Sequence, residues 1–311
     1  MQTEHNDLID QQFLEVTLTI KAWGGVKRDP KHEQAIRKAC GATRKVGHFD
    51  KYVLSKDVLA DIKAIDGAWR NRFYALTLFW SDTSRLTTVS QFPLLTNEMR
   101  ERAEKRTKAV DKFCRNYPDL VEQAKVELNG EFDPANYPTV EEVRGKFEAS
   151  FDYFAVRRGS HLNNSALGAV EGMVEGRQAE IEEEASQKIV DALADFYQRI
   201  VGPVAHFKDR MVTYGDAPNP KASKSKRAKQ TIKVGKFKAD TIEGLRDMVK
   251  VLPGLNIYND PRITDVLQDI EATLLGTGSA EDYAQELRDD DALRAKKAEQ
   301  ADAILDKMAA F

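Results

Sequence analysis

The chain has 311 residues, 41% of them hydrophobic and 31% charged, with a formal net charge of −3. That is the balance of a soluble, helix-rich protein, long enough for two domains or for one domain with an extended helical part. It excludes a membrane-spanning helix, since no apolar run of about eighteen residues occurs, and it directs the search for a charged partner to local patches.

The N-terminus, MQTEHNDLIDQQF, is acidic and lacks an apolar signal core, which argues against export. Leu14, Val16, Leu18 and Ile20 then alternate with polar neighbours, the mark of a half-buried strand over 13–22, closed by Trp23, Gly24 and Gly25. Residues 31–40 read as a helix stopped by Gly41, and VGHFDKYVL as a short strand or loop. Ser55 caps a helix with Val58, Ile62, Ile65, Trp69 and Phe73 on one face. The stretch from Leu76 to Leu95, rich in β-branched and aromatic residues, predicts a hairpin around Ser81–Ser84. From Thr96 the pattern turns helical, with Met99, Ala103, Val110 and Phe113 in a stripe. Pro118 is expected to start a second piece that ends at Gly130. Thr139 and Glu142 have capping-box spacing, and FEASFDYFAV predicts a strand returning to the N-terminal sheet.

The segment from His161 to Val212 predicts one very long helix, bent or restarted at Pro203. Ile181, Ala185, Ile189, Ala192, Phe196, Ile200 and Val204 recur on one face, with Glu182–Glu184, Asp191, Asp195 and Arg199 facing water. Gly168, Gly172 and Gly176 recur every fourth residue, pointing to close helix packing or to an adapted turn. A helix of this length either exposes apolar surface to a partner, with Ile181, Ile189, Phe196 and Ile200 as the contact residues, or folds back on helices of its own chain.

Next comes a Lys-rich stretch holding Lys221, Lys224, Lys226, Arg227, Lys229, Lys233, Lys236 and Lys238, with no acid between Asp216 and Asp240. Pro218, Pro220 and the serines predict a mobile loop over 216–239. Clustered lysines neutralise phosphates and release counterions, giving salt-sensitive, sequence-independent binding. Tyr214 and Phe237, at its borders, are candidates for stacking on unpaired bases. The other reading of this stretch is a solvated linker.

The remainder is helical. Asp240 opens one helix, Asp260 with Pro261 a second that Gly276 stops, and Ser279 with Asp282 a last one ending near Met308, its polar face interrupted by Asp289–Asp291. The fold class is therefore α+β and predominantly α-helical: a small N-terminal sheet, long helices and a helical C-terminal body. The expected division is 1–160, 161–215, 216–239 and 240–311.

Catalytic signatures are absent. No two of His5, His32, His48, His161 and His206 are sequence neighbours, and Cys40 and Cys114 fit no metal spacing. On a helix, Asp289–Asp291 would point about 100° apart and not converge on a cation. Neither phosphate-cradle motif occurs, nor G-x-S-x-G. The expectation is a non-enzymatic protein without metal or cofactor, in a reduced cytoplasmic setting.

Several local patterns together resemble a family of uncharacterised proteins from tailed phages and bacteria. They are the strand ending in Trp23, GHFDKYVL, LFWSDTSRL from Leu78, YPTVEEVRGKF from Tyr137, LNIYNDPRITDVLQDI from Leu255, and ELRDDDALR near the C-terminus. Members of that family are often encoded beside an AAA+ ATPase of the cobalt-chelatase/MoxR type and a von Willebrand-domain protein. The resemblance implies a phage-type protein in the cytoplasm of a bacterial host and carries over no catalytic residue. Two functional expectations follow. One is a self-assembling protein that binds nucleic acid through the Lys-rich loop, in phage DNA metabolism or protection. The other is an adaptor or subunit of an AAA+ ATPase/von Willebrand-domain remodelling complex, docking through the long helix. A hydrolase with an unrecognised site is a third reading.

Overall fold

The computed structural model describes residues 13–156, 171–218, 231–234, 237–256 and 259–310. It is α+β and predominantly helical, with its strands in small sheets of two to four strands. Two compact units are built from interleaved segments: Met1–Leu14, Leu76–Gln91 and Ala155–Phe311 form one, Glu15–Ala75 and Phe92–Phe154 the other. The expected boundary near residue 160 is thus crossed, because Leu76–Gln91 clusters with the C-terminal helices.

In the unit formed by Glu15–Ala75 and Phe92–Phe154, β1 (Phe13–Ile20) lies beside β6 (Ala149–Ala155), the return expected of that strand. Helix α2 (Ala60–Ala75) follows a short 3₁₀ turn and packs along α3 (Phe92–Leu128). The stripes meet as their spacing requires: Ile62, Trp69, Phe73, Met99, Val110 and Phe113 are buried, and Trp69 Nε1 donates to Met99 Sδ at 3.2 Å. Pro118 sits inside α3 and does not divide it. The missing amide costs about 3 kcal/mol, yet Phe113, Cys114, Tyr117 and Ala124 on both sides of it share one buried cluster with Val143 and Phe147. Continuing the helix keeps that face covered. Helix α4 (Val140–Gly145) begins at the Thr139–Glu142 capping box.

In this same unit, the antiparallel ribbon β2 (Val26–Arg28) and β3 (Asp50–Tyr52) flanks α1 (Pro30–Ala39). Asp29 starts α1 by accepting from the amides of Lys31 and His32 through Oδ1. Gly25, at φ 65°, makes the turn into β2, and its carbonyl accepts from Val53 N at 2.9 Å.

In the other unit, β4 (Leu78–Phe79) and β5 (Arg85–Thr88) form the hairpin expected around Ser81–Ser84, with Ser81 N donating to Ser84 O at 3.1 Å. Helix α5 (Glu171–Thr213) covers β4, and Asp195 Oδ2 accepts from Phe79 N at 2.9 Å and from Arg199 at 3.0 Å. Strands β7 (Gly215–Pro218) and β8 (Thr231–Val234) follow. Then come α6 (Ala239–Val251), α7 (Pro261–Thr273), α8 (Ala280–Asp289) and α9 (Asp291–Ala309). The single last helix of the sequence reading is therefore two. Asp290 is the break: its extended backbone ends α8, and its side chain caps α9 by accepting from Leu293 N at 2.8 Å. The Asp289–Asp291 run is a helix start, the site where a carboxylate meets free amides.

Candidate nucleic-acid interface

β7 and β8 pair antiparallel, Gly215 opposite Val234 and Pro218 opposite Thr231, so the stretch expected to be a loop over 216–239 carries strands at both ends. Residues 219–230 connect them. Lys221, Lys224, Lys226, Arg227, Lys229 and Lys236 lie outside the described residues. Lys233 lies in β8, in register with Asp216, and Lys238 is exposed at the N-cap of α6.

The aromatic neighbours of this stretch are already engaged. Phe237 is buried against Phe207, ring centroids 6.4 Å apart, and its carbonyl accepts from Arg288 Nε at 3.1 Å. Tyr214 lies under the guanidinium of Arg294, 5.1 Å from the ring centroid. Arg294 is itself buried, holding the carbonyls of Leu287 and Arg288 at the end of α8. The expected stacking role of Phe237 is corrected accordingly, since that ring is buried, while Tyr214 is half-buried with Arg294 over one face.

For Ile189, Phe196 and Ile200 the expected partner role of α5 is corrected as well. Ile189, Phe196 and Ile200 are buried within the chain's own unit, where α5 packs chiefly against α9, and Ile181 is half-buried. The helix folds back on the C-terminal helices, the other of the two expected outcomes. A docking partner would have to displace that packing.

A polar constellation that sequence spacing did not show surrounds α1. Asp29 Oδ2 contacts His32 Nδ1 at 2.8 Å, and His32 Nε2 faces Glu131 at 4.0 Å. Hydrogen bonds from the amide and ring of His32 hold the Asp29 carboxyl below the usual range. Glu33 accepts from Arg28 through two bonds of 2.7 and 2.9 Å and from Phe49 N at 3.3 Å, with Lys45 and His48 at 3.8 and 3.4 Å. The Arg28 hydrogen bond is the main reason its carboxyl is pushed down to about 2. Asp29, His32 and Glu131 present ligand atoms within 4.8 Å of one another. Both Asp29 oxygens are already bonded, however, and the Lys51 ammonium stands 3.5 Å from the Glu131 carboxylate. An ion would find only His32 Nε2 and Glu131, beside a competing cation. The arrangement acts as a charge-paired brace on the start of α1.

No helix among the described residues is long and apolar enough to cross a membrane. Comparison with protein-family models, curated proteins and solved structures finds no match to this chain.

Proposed function

We propose that this protein binds nucleic acid without sequence preference and without catalysis, through phosphate contacts from the Lys-rich segment that begins in the β7–β8 connection. One observation carries the reading: eight cations from Lys221 to Lys238 with no acid between Asp216 and Asp240, in a stretch tied at its base by a paired ribbon and at its end by buried Phe237. Lysine dominates the run, which suits point-charge contact to phosphate rather than forked recognition of base edges. The resemblance to the tailed-phage family suggests a role in DNA metabolism or protection, with self-association as part of it. The adaptor reading is weaker, since Ile189, Phe196 and Ile200, three of the four residues expected to dock on an ATPase, are interior.

The test is the salt dependence of binding to a short fluorescent duplex. Replacing Lys224, Lys226, Arg227 and Lys229 by Ala should weaken binding and flatten the slope of log K against log salt by up to about 3.6, each lost phosphate contact accounting for about 0.9. An unchanged slope sinks the role of this segment. Light scattering on the same samples reads the oligomeric state.

A further inference from the structure

We infer that the β2–α1–β3 module, residues 26–52, is a second nucleic-acid surface of this chain, one that contacts the phosphate backbone. The module holds eight Lys and Arg against three acids, within a chain whose net charge is −3. All three acids face cations or hydrogen-bond donors of the module itself. Asp29 caps α1 and holds His32. Glu33 is ringed by Arg28, Lys45 and His48. Asp50 lies in β3 in register with Arg28, whose guanidinium feels its charge. Lys27, Lys31, Arg37, Lys38 and Arg44 are left over, exposed, and in no ion pair with the described residues. A cavity of about 240 Å³ beside α1 is lined by Arg37 and Gln34 together with the paired Arg28, Lys45 and Glu33.

The rest of the module narrows the partner. Helix α1 buries no residue, and Ile36 is its only large apolar side chain, too little to seat a helix in a lipid surface. Phe49 stacks on His32 with centroids 5.0 Å apart, and the one exposed ring of the module's Phe and Tyr residues, Tyr52, carries the Lys56 ammonium 4.6 Å over one face. The surface therefore offers mainly charge, with a single exposed ring that already faces a cation. That combination fits a regular polyanion met through its phosphates, duplex and single strand alike. An acidic protein, by contrast, is usually held by buried aromatic or Arg anchors.

The test compares four full-length proteins on a short duplex and on a single strand of equal length, across a salt series. They are the parent, the Lys224/Lys226/Arg227/Lys229→Ala variant, a Lys31→Ala, Arg37→Ala, Lys38→Ala and Arg44→Ala variant, and the combination. A fifth, with Arg37→Lys and Arg44→Lys, keeps the charge. The expected result is a salt slope lowered by about 3 in the module variant, lowered further in the combination, and held in the charge-keeping protein. Duplex and single strand should differ by no more than a few-fold. A module variant that matches the parent in affinity and slope, with its circular dichroism unchanged, overturns the inference. So does a parent that ignores DNA and binds phosphatidylserine vesicles or polyglutamate instead. If the 224–229 variant binds like the parent while the module variant loses its slope, the preceding section's reading fails and this one stands.

Discussion

Arg106 carries its charge into an interior and finds every partner there. Its Nε donates to Asp66 at 2.6 Å, and its two terminal nitrogens donate to the carbonyls of Phe147 and Lys21, each at 2.6 Å. One side chain thus ties α2 to α3 and to the ends of β1 and β6. Removing one member of a buried ion pair strands the other, so Asp66→Ala should destabilise the chain by about 3–5 kcal/mol, read as a shift in the urea midpoint. Replacing Arg106 by Met as well should recover only part of this, because two carbonyls then lose their donor. Glu33 gives a pH dependence with a definite sign. Its carboxyl is depressed from 4.5 to about 2, so its contribution is complete above pH 4.5 and fades as pH falls toward 2. The stability gap between the parent and Glu33→Gln should close over that window; a gap constant with pH would contradict the pairing with Arg28. None of these partnerships was legible in sequence. Asp66 with Arg106, and His32 with Glu131, are brought together by tertiary packing alone, and no periodicity encodes that.

At the scale of the element, much was legible where the signal is local. The Thr139–Glu142 box, Asp260 before Pro261 and Ser279 before Asp282 all start helices, because each cap needs only its own first turn. The stripe on α5 is buried from Ala185 to Val204 as its spacing demanded. Proline misled: Pro118 and Pro203 both lie inside unbroken helices, since a long buried face outweighs one lost bond. The Asp run misled in the other direction, since a cap looks like a polar interruption until the chain is seen to turn there. Gly276 was expected to stop α7, and the structure adds a reason for it. A Cβ there would run into the ring of Tyr283, which is buried and donates its hydroxyl to Leu274 O at 3.2 Å. Gly276→Ala should therefore destabilise by about 1–3 kcal/mol, the range of an overpacked core, measured by urea unfolding. If Tyr283 is first cut back by Tyr283→Leu, adding Gly276→Ala should have a much smaller further effect.

At the scale of the whole molecule, periodicity tells which face of an element is buried and not which segment buries it. That is why the interleaving of Leu76–Gln91 with the C-terminal helices could not be read ahead, and why α5 supported two opposite expectations at once. The buried face of α5 now separates them by experiment. Ile200 is fully buried in the packing of α5 within its own unit. Ile200→Ala should lower stability by about 2–5 kcal/mol through lost contact and the cavity left behind. Because the proposed phosphate contacts come from lysines and arginines elsewhere, DNA affinity per folded molecule should not change. Anisotropy titrations at a temperature well below the variant's unfolding midpoint measure this directly. Loss of DNA binding, or of a co-purifying partner, in an Ile200→Ala protein that remains folded would return α5 to the role of a contact surface. It would also mean that the helix can leave its own core to make that contact.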